Sequence, residues 1–284
     1  MTKTSTSSDL LLPALRAKED ALQSVLANLS SVIVAFSGGT DSAYLAYMAT
    51  AVLGSKALAV TADSASYPEA HRQLALRVAN EFGIAHEIIH TSELERPEYR
   101  ANPHNRCYYC KHELYAELTR LKDQRGFAAI VDGSNADDRG DYRPGRQAAR
   151  EFGVRSPLDE ASLAKDEIRE LSRRAGLPTW DTPASACLSS RIPYGHAVTE
   201  EKLRTIEQAE AVLRELGFRV FRVRHHEAIA RLEIGKDEMT RALDPAISTV
   251  LIRELRALGY QHVTIDLQGY RLGSLNDALK LRPV

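Results

Sequence analysis

Cysteine and tryptophan are scarce in this sequence, and neither sign of charge is in excess. Three cysteines among 284 residues cannot build a disulfide framework; in a reducing compartment they are better suited to be ligands or nucleophiles. Thirty-seven Lys+Arg against 38 Asp+Glu leave a net charge of −1, so no global field draws the chain to a polyanion or an anionic membrane. Any nucleic-acid contact must be local. No apolar run approaches the ~18 residues that cross a bilayer, and the first eight residues, rich in Ser and Thr, lack the apolar segment of a signal peptide. A cytoplasmic protein with a disordered stretch over residues 1–8 is expected. What the chain does have is 44% hydrophobic residues, enough for a core of ordinary size, and a length that suits one large domain or one domain plus a smaller one.

Apolar, β-branched runs alternate with segments of helical period. Residues 32–36, 57–61, 85–89 and 128–131 read as buried strands, with helices at 42–53, 69–82 and 111–125 between them. That alternation predicts an α/β fold with a doubly wound parallel sheet. Residues 10–29 form an amphipathic helix outside it. Two long loops, "DGSNADDRGDYRPGR" and "GLPTWDTPASACLSSRIPYGH", flank a helix at 165–175 and are of a length that usually carries function. Beyond residue 199 the rhythm becomes αββαβ. A first domain over 1–195 and a small α+β domain over 196–284, for substrate binding or oligomerisation, are expected.

The stretch "SVIVAFSGGTDSAYLA" at 31–46 is an apolar run broken by a polar turn. After a parallel strand, Gly38 and Gly39 let the backbone approach an anion closely. Ser37, Thr40 and Ser42 offer hydroxyls, and the following helix offers its N-terminal amides. The spacing is neither that of the P-loop nor that of the Rossmann glycines. Asp41 inside an anion site makes sense when a divalent cation bridges it to phosphates. The plain alternative is an N-cap turn with a bend.

Ser-Gly-Gly-x-Asp-Ser resembles the PP-loop of the ATP pyrophosphatases, a HUP-like group that includes NAD synthase, GMP synthetase and tRNA thiolation enzymes. That likeness implies ATP with Mg²⁺, cleavage between the α and β phosphates, and adenylation of a substrate oxygen. "GSNADD" at 133–138, "SPL" at 156–158, the segment 165–195 with "ACLSSR", "RVRHHEAIARLEI" at 222–234 and "DLQGYRLGSLN" at 266–276 together resemble the LarE family. The resemblance runs over nearly the whole chain. It implies adenylation of a pyridinium dicarboxylate mononucleotide and replacement of carboxylate by thiocarboxylate, in nickel-pincer nucleotide synthesis. The family's sulfur-bearing cysteine matches Cys187.

The chemistry asks for such a residue independently, because an acyl-adenylate is an electrophile that a soft sulfur nucleophile attacks. Arg191, four residues on, is a cation expected to favour the thiolate, and is also expected among the substrate-binding residues. "NRCYYCKHELY" adds Cys107 and Cys110 at Cys-x-x-Cys spacing, read as part of an active-site loop. In single-cysteine members of the family the counterpart of Cys187 gives up its own sulfur and ends as dehydroalanine. Three cysteines can instead hold a [4Fe–4S] cluster with one iron open to hydrosulfide. Structural zinc, with His104 or His112, and a redox dithiol are the competing uses of the pair.

On a strand, Arg222 and Arg224 share one face, about 7 Å apart, and suit a substrate phosphate. Arg231 and Glu233 share a face of the next strand; a surface ladder is the plain alternative to Glu233 as a substrate residue. Gly133, Asn135 and Asp138 follow a strand end, where ligands of open α/β sheets gather. Asp63 and Ser64 end the second strand, close to where adenosine is expected. Lys165, before a helix, is either a phosphate contact or a cap. The expected partners are a small nucleotide, a sulfide or persulfide donor and further copies of the chain. Neither a membrane nor an extended nucleic-acid surface is expected, since residues 196–284 are nearly balanced in charge. An ammonia-using ligase and a tRNA thiolation enzyme are the other functional readings.

Overall fold

Val32, Ile33, Val34 and Ala35 are all buried, which a strand achieves only when both faces of its sheet are covered. The computed structural model describes residues 7–140, 144–183 and 186–277, with only the backbone described for 7–12. In chain order the elements begin α1 (Ser7–Leu29), β1 (Val32–Ala35), α2 (Thr40–Leu53), β2 (Ala57–Asp63), α3 (Glu69–Glu81), β3 (His86–His90) and α4 (Pro97–Arg100). They continue through α5 (Arg106–Arg125), β4 (Ala129–Val131), α6 (Gly145–Glu151), α7 (Pro157–Glu160), α8 (Lys165–Arg174) and α9 (Glu200–Glu215). The last are β5 (Phe221–His226), β6 (Ile229–Ile234), α10 (Met239–Ala242), α11 (Pro245–Ala257) and β7 (His262–Ile265). Helix α1 thus begins three residues before the expected start; residues 1–6, in the stretch expected to be disordered, lie outside the described residues.

The chain divides into two compact units: one of residues 1–63, 70–91 and 107–182, the other of 64–69, 92–106 and 183–284. In the first, four parallel strands run in the order β3-β2-β1-β4, the doubly wound α/β sheet that the alternating pattern predicts. Period-two alternation sends Val32, Val34, Ala57 and Ala59 to one core with Tyr44, Leu45 and Leu158. Ile33, Ala35, Leu58 and Val60 go to the other with Tyr115, Leu118 and Ile130. Each such fully buried aliphatic side chain contributes about 1.5–3 kcal/mol of burial. Leu15, Leu22 and Leu26 form the buried stripe of α1.

In the second unit β5 pairs antiparallel with β6, and β6 parallel with β7. Phe221, Val223, Leu232 and Ile234 pack with Leu213 of α9 and Leu251 and Leu255 of α11. The helix expected at 111–125 begins at Arg106, so Cys107 and Cys110 lie in the first turns of α5 rather than in a loop.

Candidate active site

Strand order reverses between β1 and β4, so the loops after these two strands flank the point where open α/β sheets bind ligands. The loop after β1 is the Ser37–Gly38–Gly39 turn. Gly38 has φ +68°, a conformation glycine adopts freely, and a Cβ there would stand 3.0 Å from that of Ala75 on α3. Ser42 ties the turn together: its Oγ donates to the Gly39 carbonyl (3.1 Å), accepts from the Ser37 amide (3.2 Å) and lies 3.1 Å from Ser37 Oγ. Thr40 is turned away from the loop, its hydroxyl donating to the Thr179 carbonyl at 2.7 Å. The amides at the start of α2 are thus presented at the strand end, the arrangement that binds phosphate.

From the loop after β4, Gly133 approaches this helix start so closely that a Cβ would meet the Ser42 backbone nitrogen at 2.9 Å. Asn135 and Asp138 are buried and fold the loop on itself, Asp138 Oδ2 accepting from the Asn135 amide at 3.1 Å. Asp132 is a structural hub, accepting from Tyr115 OH, Ser134 and Ser156.

Asp41 is the electrostatic focus of the loop. Its Oδ2 accepts from Lys165 Nζ at 3.1 Å, while Oδ1 is buried with no hydrogen-bond partner among the described residues. Burial raises its carboxyl above the ordinary range, an effect that Lys165 offsets only in part and the nearby Asp138 reinforces. A buried carboxylate oxygen without a donor, beside a phosphate-type loop, suits an oxygen-ligated cation such as Mg²⁺. Lys165, half-exposed at the start of α8, contacts this carboxylate, and its amide is capped by Asp137 Oδ2. Asp63 ends β2 with His90 Nδ1 at 3.9 Å.

In the second unit, Ser64 and Ser66 each donate to Oε1 of buried Glu93 at 2.6 Å, and the Ser66 carbonyl accepts from the Leu188 amide at 2.8 Å. Cys187 therefore sits in a loop pinned at its neighbour. The expectation that Arg191 serves the cysteine sulfur is corrected. The Arg191 guanidinium is buried in a two-bond pair with Glu210, 2.8 Å for each, and donates to the carbonyls of Ala186 and Cys187. It holds the backbone. The side chain beside the sulfur is Arg106, with Nη2 3.9 Å from Cys187 Sγ. Nothing in the local pattern pairs residues 81 apart. Glu210 also accepts from the Val223 amide; burial pushes its carboxyl up, but Arg191, Arg222 and the Val223 amide together outweigh this and the net direction is down.

Arg222 and Arg224 share a face of β5, opposite Glu233 and Arg231 in register, as strand alternation requires. A surface ladder of Arg231 and Glu233 is not what forms. Arg224 and Glu233 are buried, joined at 2.8 Å, with Arg224 also donating to Ser274 Oγ and the Ser190 carbonyl. Glu233 accepts further from Arg231, which pairs with Asp266. The Arg222 guanidinium lies over the Tyr270 ring, 5.2 Å to its centre, and burial lowers its pKa, as does Arg191. Burial of this polar face follows from internal pairing of charges, which one strand's pattern does not reveal.

None of the three cysteines is joined in a disulfide. Cys107 and Cys110 lie one turn apart on α5 in the first unit and Cys187 lies in the second; thiols are donors of the soft kind that iron–sulfur clusters take. Among the described residues, no three His, Cys, Asp or Glu side chains are grouped to hold a metal ion. No helix among them is long and apolar enough to cross a membrane.

The NAD synthase family profile matches residues 15–104. An uncharacterised protein of Synechocystis is 43% identical over 265 residues, covering 93% of this chain and 99% of that one. The pyridinium-3,5-bisthiocarboxylic acid mononucleotide synthase of Lactiplantibacillus plantarum is 36% identical over 269 residues, 94% of this chain and 97% of its own. A glutamine-hydrolysing GMP synthase of Aeropyrum pernix is 27% identical over 202 residues, 64% of this chain and 39% of its own. With a PP-loop at the switch point of its parallel sheet and near full-length similarity to that mononucleotide synthase, the chain belongs to the LarE family.

Proposed function

We propose that this protein is an ATP-dependent sulfur transferase that converts a carboxylate of a pyridinium dicarboxylate mononucleotide into a thiocarboxylate, in nickel-pincer nucleotide synthesis. The observation that carries the reading is the Ser37–Ser42 loop with its orphaned Asp41 Oδ1, in a chain 36% identical to a mononucleotide synthase of that chemistry. A substrate carboxylate oxygen attacks the α-phosphorus of ATP, the bond to the bridging oxygen breaks, and pyrophosphate leaves. Amides at the start of α2, presented by the turn that Ser37 and Ser42 tie together, stabilise the charge that develops on it. Asp41 would hold Mg²⁺, which screens the phosphates. Sulfur then attacks the acyl carbon: a C–S bond forms, the C–O bond to AMP breaks, and AMP takes the electron pair.

We assign Cys107, Cys110 and Cys187 as the thiolates of a [4Fe–4S] cluster, which would supply an open iron for hydrosulfide as the transferred sulfur. The alternative is that Cys187 gives up its own sulfur: its thioester with the substrate breaks at the cysteine Cβ–S bond, the Cα proton is lost, and the residue ends as dehydroalanine. In that reading Arg222, Arg224 and Glu233 belong to the substrate side and Asp63, Ser64, Gly133, Asn135 and Asp138 to the nucleotide side. Cysteines not joined in disulfides suit the cytoplasm, where we place the protein. Incubation with MgATP and the dicarboxylate mononucleotide, read by mass spectrometry, is expected to give AMP together with thiocarboxylate. AMP formed with ammonia and an amide product would assign the chain to the ligases instead.

A further inference from the structure

Cys187 Sγ lies within hydrogen-bond reach of a guanidinium whose placement is fixed by a dedicated set of contacts. Arg106 is buried at the first residue of α5, and its Nη1 donates to Asn102 Oδ1 at 2.5 Å and to the Ser189 carbonyl at 2.8 Å. Its Nη2 is thereby directed to Cys187 Sγ, 3.9 Å away. Arginine suits this because its planar fork can be tied at one nitrogen while the other serves a second group.

Asn102 is itself a clamp. It is fully buried with φ +52°, and its Nδ2 lies within donating distance of the carbonyls of Ile192, Pro193 and His196, at 3.3, 2.8 and 3.0 Å. An asparagine in left-handed backbone costs free energy that the surrounding contacts must offset. Here they lock the segment after Cys187 onto residues 99–106, and Tyr99 OH adds a 2.6 Å contact to Ser189 Oγ. One short stretch thus sets the path of the cysteine loop and delivers a cation to its sulfur.

We propose that Arg106 is a catalytic residue of this protein: its guanidinium holds negative charge on the sulfur at Cys187 as that sulfur attacks the activated acyl carbon, and Asn102 is the positioning residue that aims it. The role rests on the sulfur-transfer reading above. In the route where Cys187 gives up its own sulfur, the acyl C–S bond forms and the C–O bond to AMP breaks with the electron pair leaving on AMP; the cysteine Cβ–S bond then breaks as the Cα proton is lost, freeing the thiocarboxylate and leaving dehydroalanine, so no oxidant or reductant is required. Arg191, by contrast, is committed to Glu210 and to backbone carbonyls.

The test reads local charge rather than turnover. In a full-length Cys107→Ser, Cys110→Ser background Cys187 is the sole thiol, since the chain has three cysteines. Iodoacetate and iodoacetamide alkylate the same sulfur, so the ratio of their rates reports the field at Sγ while accessibility and thiol ionisation largely cancel. At low salt the ratio at Cys187 is expected to exceed that of glutathione in the same buffer by about fivefold. Arg106→Gln should bring it to the glutathione value, and Arg106→Lys should retain most of the excess. A ratio equal to that of glutathione with Arg106 present, or one unchanged by Arg106→Gln, overturns the proposal. If the Gln variant does not fold, the comparison with glutathione decides alone. An intact excess in a protein that makes no thiocarboxylate would overturn the functional reading while leaving the charge at Cys187 in place.

Discussion

Asp41 and Lys165, 124 residues apart, meet at 3.1 Å across the start of the phosphate-type loop, and the second oxygen of Asp41 is left buried without a donor among the described residues. Because burial raises the Asp41 carboxyl, the folded state favours its neutral form. That contribution is fully present below the ordinary aspartate range and is lost as pH rises through the raised value, so at pH 7 the carboxylate destabilises the ligand-free protein. Asp41→Asn is therefore expected to raise Tm at pH 7 by about 2–4 °C and to flatten its pH dependence. Stabilisation by MgATP should fall at the same time, as the cation loses its carboxylate. A ligand-free variant less stable than wild type, or one stabilised equally by MgATP, would contradict the assignment.

Gly133 marks where the two loops of the switch point touch. In Gly133→Ala the new methyl would meet backbone atoms of Asp41 and Ser42 at 2.9–3.2 Å, and backbone cannot rotate away. Overpacking of this kind costs about 1–3 kcal/mol. Gly145→Ala is the control, because its nearest neighbour is the flexible Lys111 side chain, Cγ at 3.0 Å. Thermal unfolding should separate the two, with Gly133→Ala much the more destabilised and weaker in ATP binding.

Breaking the buried Arg191–Glu210 pair tests what holds the Cys187 backbone. Arg191→Met leaves a buried carboxylate with the Val223 amide as its remaining backbone donor, and should cost about 3–5 kcal/mol in urea unfolding. Adding Glu210→Gln should recover part of the loss. Since the net shift at Glu210 is downward, its stabilising contribution is present above the ordinary glutamate range and is lost as pH falls through its folded value. Glu210→Gln alone should therefore weaken the acid dependence of stability, and an unchanged acid limb would refute this.

Much of this was legible in the chain itself. The strand, the two-glycine turn and the helix after it are contiguous, so local pattern alone places the phosphate loop, and alternation gives the shared face of Arg222 and Arg224. Contacts made through tertiary packing were not legible. Arg106 reaches Cys187 because residues 99–106 and 187–196 are held together by contacts of Tyr99, Asn102 and Arg106 itself. The burial of Arg224 depends on Glu233 and Ser274, and the first turn of α5 forms through Cys107–Cys110 although its sequence has no strong helix start.

The cysteine pair makes a separate prediction. Protein purified without air should be brown, with iron and sulfide near four per chain when the cluster is complete. Cys107→Ala should lose most of that iron. Unchanged iron in the variant would remove the three-thiol assignment. An iron-free protein that turns over once and leaves dehydroalanine at Cys187 would establish the sacrificial route.

The most direct test is Cys187→Ser, assayed anaerobically with MgATP and the dicarboxylate mononucleotide, with AMP and thiocarboxylate followed in the same reaction. In the proposed reaction, activation at the glycine turn and sulfur delivery through Cys187 are separate steps, so the variant should still release AMP and pyrophosphate while forming no thiocarboxylate. Thiocarboxylate formed at the wild-type rate without the Cys187 sulfur would contradict the account.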